Sequence, residues 1–183
     1  MGTPPFPGRT VQKSEGYAVI LIRRCLVVLL FAAFLCAAGW GEGWTQKGHT
    51  WSHSNGLALT FPNGYKVSTE KNGTLNANAA GGYVILVFTP VSGKEQMKDA
   101  MKGIIQAMSQ AKVVMKSDSV TGKQNGVDVA FQDGETLSNG VPIFVKLGIF
   151  NKKESFLLMQ LLVPKKLFGA NEESLKKLFL SVK

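Results

Sequence analysis

The chain reads as an α+β domain, an antiparallel sheet with its helices segregated from its strands, and three observations lead there. Asn-Gly occurs five times, at 55–56, 63–64, 72–73, 125–126 and 139–140, and this dipeptide tolerates the positive φ that tight hairpin turns require. Between Val141 and Pro164 two apolar runs flank the polar tetrapeptide Asn151 to Glu154, the pattern of a β-hairpin. Two stretches, after Ser92 and after Asn171, carry apolar residues at helical spacing.

Taken in order, residues 39–54 hold Trp40, Trp44 and Trp51 among glycines, threonines and both histidines, without a strand or helix period. This stretch reads as a linker or N-terminal arm whose tryptophans fold back on the domain or meet a partner or membrane surface. Short strand-like runs follow at Leu57–Phe61, Tyr65–Ser68 and Leu75–Ala79, then a stronger one at Tyr83–Phe88 that ends at Pro90, since proline cannot donate to a ladder. Ser92 with Glu95 three residues on predicts a capping box. Behind it Met97, Ala100, Met101, Ile104, Ile105, Met108 and Ala111 form the apolar stripe of a helix of about four turns.

Val113–Val120 reads as a strand leaving that helix. Val127, Val129 and Phe131 then alternate with Asp128, Ala130 and Gln132, a strand with one wet face. In the hairpin that follows, both the odd residues Val141 to Ile149 and the even Phe144 and Phe150 are apolar, and Phe156–Val163 is apolar except for Gln160. Successive side chains alternate faces, so these two strands need cover on both sides and belong at the sheet's centre. Lys165–Ala170 reads as a connector, and Asn171 as the cap of a last helix buried through Leu175, Leu178, Phe179 and Val182.

With 183 residues, 45% hydrophobic and 18% charged, the chain has the makeup of one globular domain, neither a disordered polymer nor a multi-span membrane protein. Arg23-Arg24 precede an apolar run, Cys25 to Ala38, with no charged residue and small residues at its end: the parts of a secretory signal peptide. The run is shorter than the roughly 20 residues a spanning helix needs. Cleavage after Ala38 or Gly39 is expected; retention as an anchor and lipid attachment at Cys36 are the alternatives. The boundaries are therefore a signal peptide at 1–38 with a long N-terminal region before its apolar run, a Trp/Gly-rich arm at 39–54, and a domain at 55–183, in an exported protein, periplasmic or secreted and with a bacterial look, that keeps no transmembrane span once processed.

Processing would change the chemistry. Of 21 basic residues Arg9, Lys13, Arg23 and Arg24 leave, and of 12 acidic ones only Glu15. The remainder has 17 lysines against 11 carboxylates, a net charge of +6, no arginine and no cysteine. That excludes disulfides, cysteine-ligated zinc and cysteine nucleophiles, together with the bidentate arginine contacts by which guanine is read. No specific nucleic-acid partner is expected; the lysines supply solubility and weak attraction to anionic surfaces.

Leu59-Thr-Phe-Pro-Asn-Gly-Tyr-Lys66 resembles the F-x-x-P-x-G-[WY] opening of PsbP-like and Mog1-like domains. The similarity continues in order through Phe88-Thr-Pro90, the capped helix, Val113-Val114, Asn125-Gly126, the long strands and the terminal helix. It implies a PsbP/Mog1-like domain at 55–183, with a sheet of about six strands sandwiched between the two main amphipathic helices, and a small exported or organelle-luminal binding or assembly factor. The Mog1 branch's action on a nuclear GTPase does not suit a chain with an export signal.

Candidate chemistry is sparse. His49 and His53 sit four apart, a spacing that would hold zinc or copper on a helix, but no third ligand is identifiable. Asp133 and Glu135 would share a face of a regular strand, as paired carboxylates can. No G-x-S-x-G elbow and no phosphate-binding glycine loop is present. The reading is a non-enzymatic binding or assembly-accessory protein of the cell envelope, without cofactor, with a protein partner. Trp40, Trp44, Trp51, Phe144 and Phe150 are its candidate contacts, the two phenylalanines should both helices lie on one face. A small metal-binding protein or hydrolase using His49, His53, Asp133 and Glu135 is the alternative.

Overall fold

The structure, a computed structural model, describes residues 43–183. The expected signal peptide at 1–38, with Cys25 and Cys36, and Trp40 in the arm lie outside the described residues.

Two sheets form. The small one has three strands in the order β1 (Trp44–Lys47), β2 (Thr50–His53), β3 (Ala58–Thr60). The large one has seven: β4 (Lys66–Thr69), β5 (Leu75–Ala79), β6 (Val84–Ser92), β7 (Val114–Gln124), β8 (Val127–Ser138), β9 (Val141–Lys152) and β10 (Ser155–Pro164). Its spatial order is β4-β5-β6-β10-β9-β8-β7, antiparallel throughout. Helix α1 (Gly93–Gln110) joins β6 to the far edge strand β7, and α2 (Lys165–Leu180) follows β10.

The hairpin β9–β10 is the centre, as its two apolar faces predict. Leu157, Met159, Leu161 and Val163 of β10 join Phe144 and Phe150 of β9 in one core with Leu175, Leu178 and Val182 at the chain's end. Leu158 of β10 packs on the other side with Val91 and Ile104, and with Leu147 and Ile149 of β9. One helix therefore covers each face. The small sheet lies beside α2: Leu57, Leu59 and Phe61 are in that same core. Ala58 and Lys183 exchange backbone hydrogen bonds at 2.9 and 3.0 Å, so the C-terminal residue lies alongside β3.

Turn chemistry sets the register. Asn125-Gly126 and Asn139-Gly140 have positive φ at both residues and close the β7–β8 and β8–β9 hairpins as tight turns. The β9–β10 turn puts Lys153 and Glu154 in the same left-handed region without glycine, so a central hairpin with long pairing imposes a backbone that its turn residues do not favour.

Several expectations are corrected. The main sheet has seven strands against about six expected; the expected Val113–Val120 strand runs on as Val114–Gln124 and pairs with β8 on either side of a bulge between Met115 and Ser119. Residues 44–53 are no linker: β1 and β2 form a hairpin whose Trp44 and Trp51 pack on the core. Strand β6 runs past Pro90 to Ser92; β5 pairs with it only up to Phe88, so the proline falls where one flank has no partner.

The capping box does not form. Ser92 makes no side-chain cap, Glu95 pairs with Lys98, and Gln96 Oε1 accepts the Ser92 N–H at 3.2 Å instead. Ile105, assigned to the α1 stripe, is 61% exposed; Ile104 is the helix's one buried residue. Helix α2 begins at Lys165, not after Asn171, which sits inside it and donates to the Leu167 carbonyl. Leu167 and Phe168 pack against the core, and that burial carries the helix across Gly169 and Asn171.

Candidate functional site

The residues singled out from sequence are mostly not where a site would need them. His49 is exposed in the β1–β2 turn, while His53 ends β2. Four residues along a strand span about 13 Å, so the two rings cannot share one metal ion. The helical spacing that would bring them together is absent because this segment pairs as a hairpin. His53 rests against Trp44 with ring centres 5.0 Å apart, its Nδ1 accepts the Asn55 N–H, and burial lowers its pKa. Trp44 donates from its indole to the Gly73 carbonyl at 2.7 Å. These tryptophans are structural clips between the hairpin and the domain. No group of three or more metal-ligating side chains occurs among the described residues.

Asp133 and Glu135 do share a face, but each is neutralised separately. Asp133 pairs with Lys146 on the neighbouring strand, and Lys165 donates to both Glu135 oxygens at 3.0 Å. Lys146 also lies 5.6 Å from the Phe131 ring centre and 5.7 Å from that of Phe144. Each carboxylate is therefore engaged by a lysine from a different element, and the two do not bond to one another. Phe144 and Phe150 form no exposed patch: they are 6% and 0% exposed, Phe144 under Phe168 and Phe150 edge-on to Phe131. With a helix on each face, the condition for their exposure is not met.

What sequence reasoning missed lies at the β7 end of the sheet. Register places Val120 beside Phe131 and Val114 beside Glu135, on the face that carries α2. Yet α2 packs over β9 and β10, and Val114, Val120 and Leu137 are left 74%, 68% and 70% exposed. Strand β7 is also the sheet's edge, with pairing on one side only. Three aliphatic side chains thus stand on two outer strands among the Lys146–Asp133 and Lys165–Glu135 pairs. The signal was present in the Val113–Val120 pattern, but nothing in a sequence says where a helix forty residues on will stop covering the sheet.

On the opposite face α1 lies loosely. Two cavities run along its β8–β9 flank, of about 170 and 90 Å³. Met101 and Ile104 wall the first, Ala107 and Met108 the second, and Leu147 lines both. No charged side chain lines either. At the floor of the second sits Gln160, 9% exposed, whose Nε2 has no hydrogen-bond partner among the described residues.

No family model matches the chain, and no curated protein matches it in sequence. Solved structures share its fold. The solution structure of cyanobacterial PsbP (CyanoP) from Synechocystis sp. PCC 6803 aligns with a TM-score of 0.56 at 8% identity, over 80% of this chain and 94% of that one. A crystal structure from Bacteroides thetaiotaomicron VPI-5482 aligns with a TM-score of 0.52 at 12% identity, over 75% of this chain and 48% of that one. At such identities the likeness is one of fold: a PsbP-like α+β sandwich, as the Leu59–Lys66 motif implied. None of the described helices is long and apolar enough to cross a membrane.

Proposed function

We propose that this is an exported, non-enzymatic binding or assembly-accessory protein of the cell envelope, and that it docks a protein partner on the outer face of β7 and β8. The observation that carries the reading is the exposure of Val114, Val120 and Leu137, 74%, 68% and 70%, spaced along one face of β7 and β8. Exposed aliphatic side chains gain from being covered, and the ion pairs between them supply polar contacts. The 14-residue apolar run from Cys25 behind Arg23-Arg24 supports export. The shared fold with cyanobacterial PsbP is compatible with an accessory role and carries no specific activity to this chain.

The test is capture of partners from an envelope extract, at moderate and high salt, with the full chain and with a Val114→Asp/Val120→Asp variant. A salt-resistant partner retained by the wild type and lost by the variant is the expected result. An identical set captured by both proteins sinks the β7–β8 assignment. Binding that vanishes with modest salt would point to the lysine surface instead.

A further inference from the structure

The side chains that fasten α1 to the sheet carry an inference independent of partner docking, on the opposite face. Helix α1 buries one residue, Ile104, in a cluster with Val91 and Leu158. Its other contacts with that cluster are Met97, Ala100, Met101 and Met108, all partly buried. Positions 97, 101, 104 and 108 follow the i, i+4, i+7 spacing of one helix face, so three of the four large side chains holding α1 are thioethers. Helix α2, by contrast, is held on its own face by the buried hydrocarbon of Leu175 and Leu178.

The thioethers of α1 are within reach of a small reagent. Met101 borders the cavity of about 170 Å³ and Met108 that of about 90 Å³, whereas a molecule the size of water takes about 30 Å³. Beyond residue 38 the chain has no cysteine and every methionine except Met1, so thioether is the only oxidisable sulfur there. The two methionines outside α1 serve as references. Met159 is 1% exposed in the core shared with α2, and Met115 stands on the edge strand β7, outside the Ile104 cluster.

We propose that Met97, Met101 and Met108 are a reversible oxidation site, through which a hydroperoxide unfastens α1 from the sheet. A sulfur lone pair attacks one peroxide oxygen; the S–O bond forms as the O–O bond breaks. The sulfur is oxidised to the sulfoxide and hydrogen peroxide is reduced to water. A sulfoxide oxygen needs a donor, and the side chains of Val91, Ile104 and Leu158 offer none. Turning that oxygen out to water removes three of the four large side chains from the contact, and Ile104 alone does not hold the helix.

The test treats the full chain, its two cysteines alkylated beforehand, with graded hydrogen peroxide. Sulfoxide is mapped by mass spectrometry of peptides, and opening of α1 is read by brief trypsin cleavage after Lys98 and Lys102, both exposed on the helix. Met97, Met101 and Met108 should take up oxygen while Met159 does not. Cleavage within α1 should accelerate about tenfold or more in step with them, and methionine sulfoxide reductase should restore resistance. The Met97→Leu/Met101→Leu/Met108→Leu variant, which nearly conserves volume and keeps Met115 and Met159, should stay resistant after peroxide. The wild-type time course stands by itself should that variant not fold. Three outcomes would each overturn the proposal: α1 methionines left unoxidised when Met115 is oxidised, full oxidation without faster cleavage, or a leucine variant that peroxide opens as readily as the wild type.

Discussion

Replacing Phe150 by alanine tests the two-faced hairpin directly, when set beside Ile149→Ala one residue along the same strand. Phe150 is 0% exposed and stands edge-on to Phe131 with ring centres 5.5 Å apart, in the core shared with α2. Truncating such a ring costs about 3–5 kcal/mol, and the lost edge-to-face pair, about 0.5–1.5 kcal/mol by itself, puts the value in the upper part of that range. Ile149 points the other way, half-buried beside the 170 Å³ cavity under α1. Its truncation removes three carbons at about 0.8 kcal/mol each when fully buried, so about 1 kcal/mol here, and it enlarges a space that already exists. Urea unfolding at constant slope should therefore give Phe150→Ala a loss at least about three times that of Ile149→Ala. Melting should fall by about 10 °C or more for the first and by a few degrees for the second. Equal losses, or a larger one at Ile149, would refute the assignment of a dense core to the α2 face and a thin one to the α1 face.

Two further perturbations follow from local geometry. Burial holds the His53 pKa below its ordinary 6.5, so the unfolded chain takes up this proton first. The contribution of neutral, packed His53 is thus complete above pH 6.5 and lost as pH falls below it toward the lowered folded value. Melting temperature and Trp44 emission should both drop on going from about pH 7.5 to about pH 5, and His53→Phe should flatten the profile; a wild type flat over this range would contradict the packing. At Gly134 an added Cβ would stand 2.5 Å from Met115 Sδ and 3.1 Å from the Val114 carbonyl, whereas at Gly122 the nearest atom, on Val129, is 3.8 Å away. Gly134→Ala should cost about 1–3 kcal/mol and Gly122→Ala should stay within about 0.5 kcal/mol in a thermal melt; similar values for both would mean that the β7 bulge relaxes freely.

The legible part of the fold is the part written in local pattern. Asn-Gly turns announce the hairpins, alternation announces β8, and the double apolar face of residues 141–164 announces a central position with cover on both sides. The errors have one physical root. Where burial opposes a local preference, burial wins: Leu167 and Phe168 extend α2 through Gly169, and β6 crosses Pro90. The capping box failed for the complementary reason, since on an exposed helix end Glu95 is free to pair with Lys98 instead. The candidate site was less legible than the fold. Asp133 and Glu135 share a face as their spacing predicts, but their partners Lys146 and Lys165 come from other elements, and the pairing turns a candidate acid-base couple into two ion pairs.

By itself the amino-acid sequence determined the α+β class, the order of the elements from β3 onward, the central hairpin and the absence of arginine and cysteine beyond residue 38, because these depend on residue type and spacing. Only the tertiary structure decided which helix covers which face, that Phe144 and Phe150 are core, that Trp44 and Trp51 clip a hairpin, and that Val114, Val120 and Leu137 stay uncovered. Exposure is set by what a neighbouring element reaches. Helix α2, at 16 residues, spans about 24 Å under a sheet seven strands wide and reaches β8 at Phe131 and the β7 end at Gln124, so its length and direction, and not the pattern of β7 and β8, leave Val114, Val120 and Leu137 uncovered.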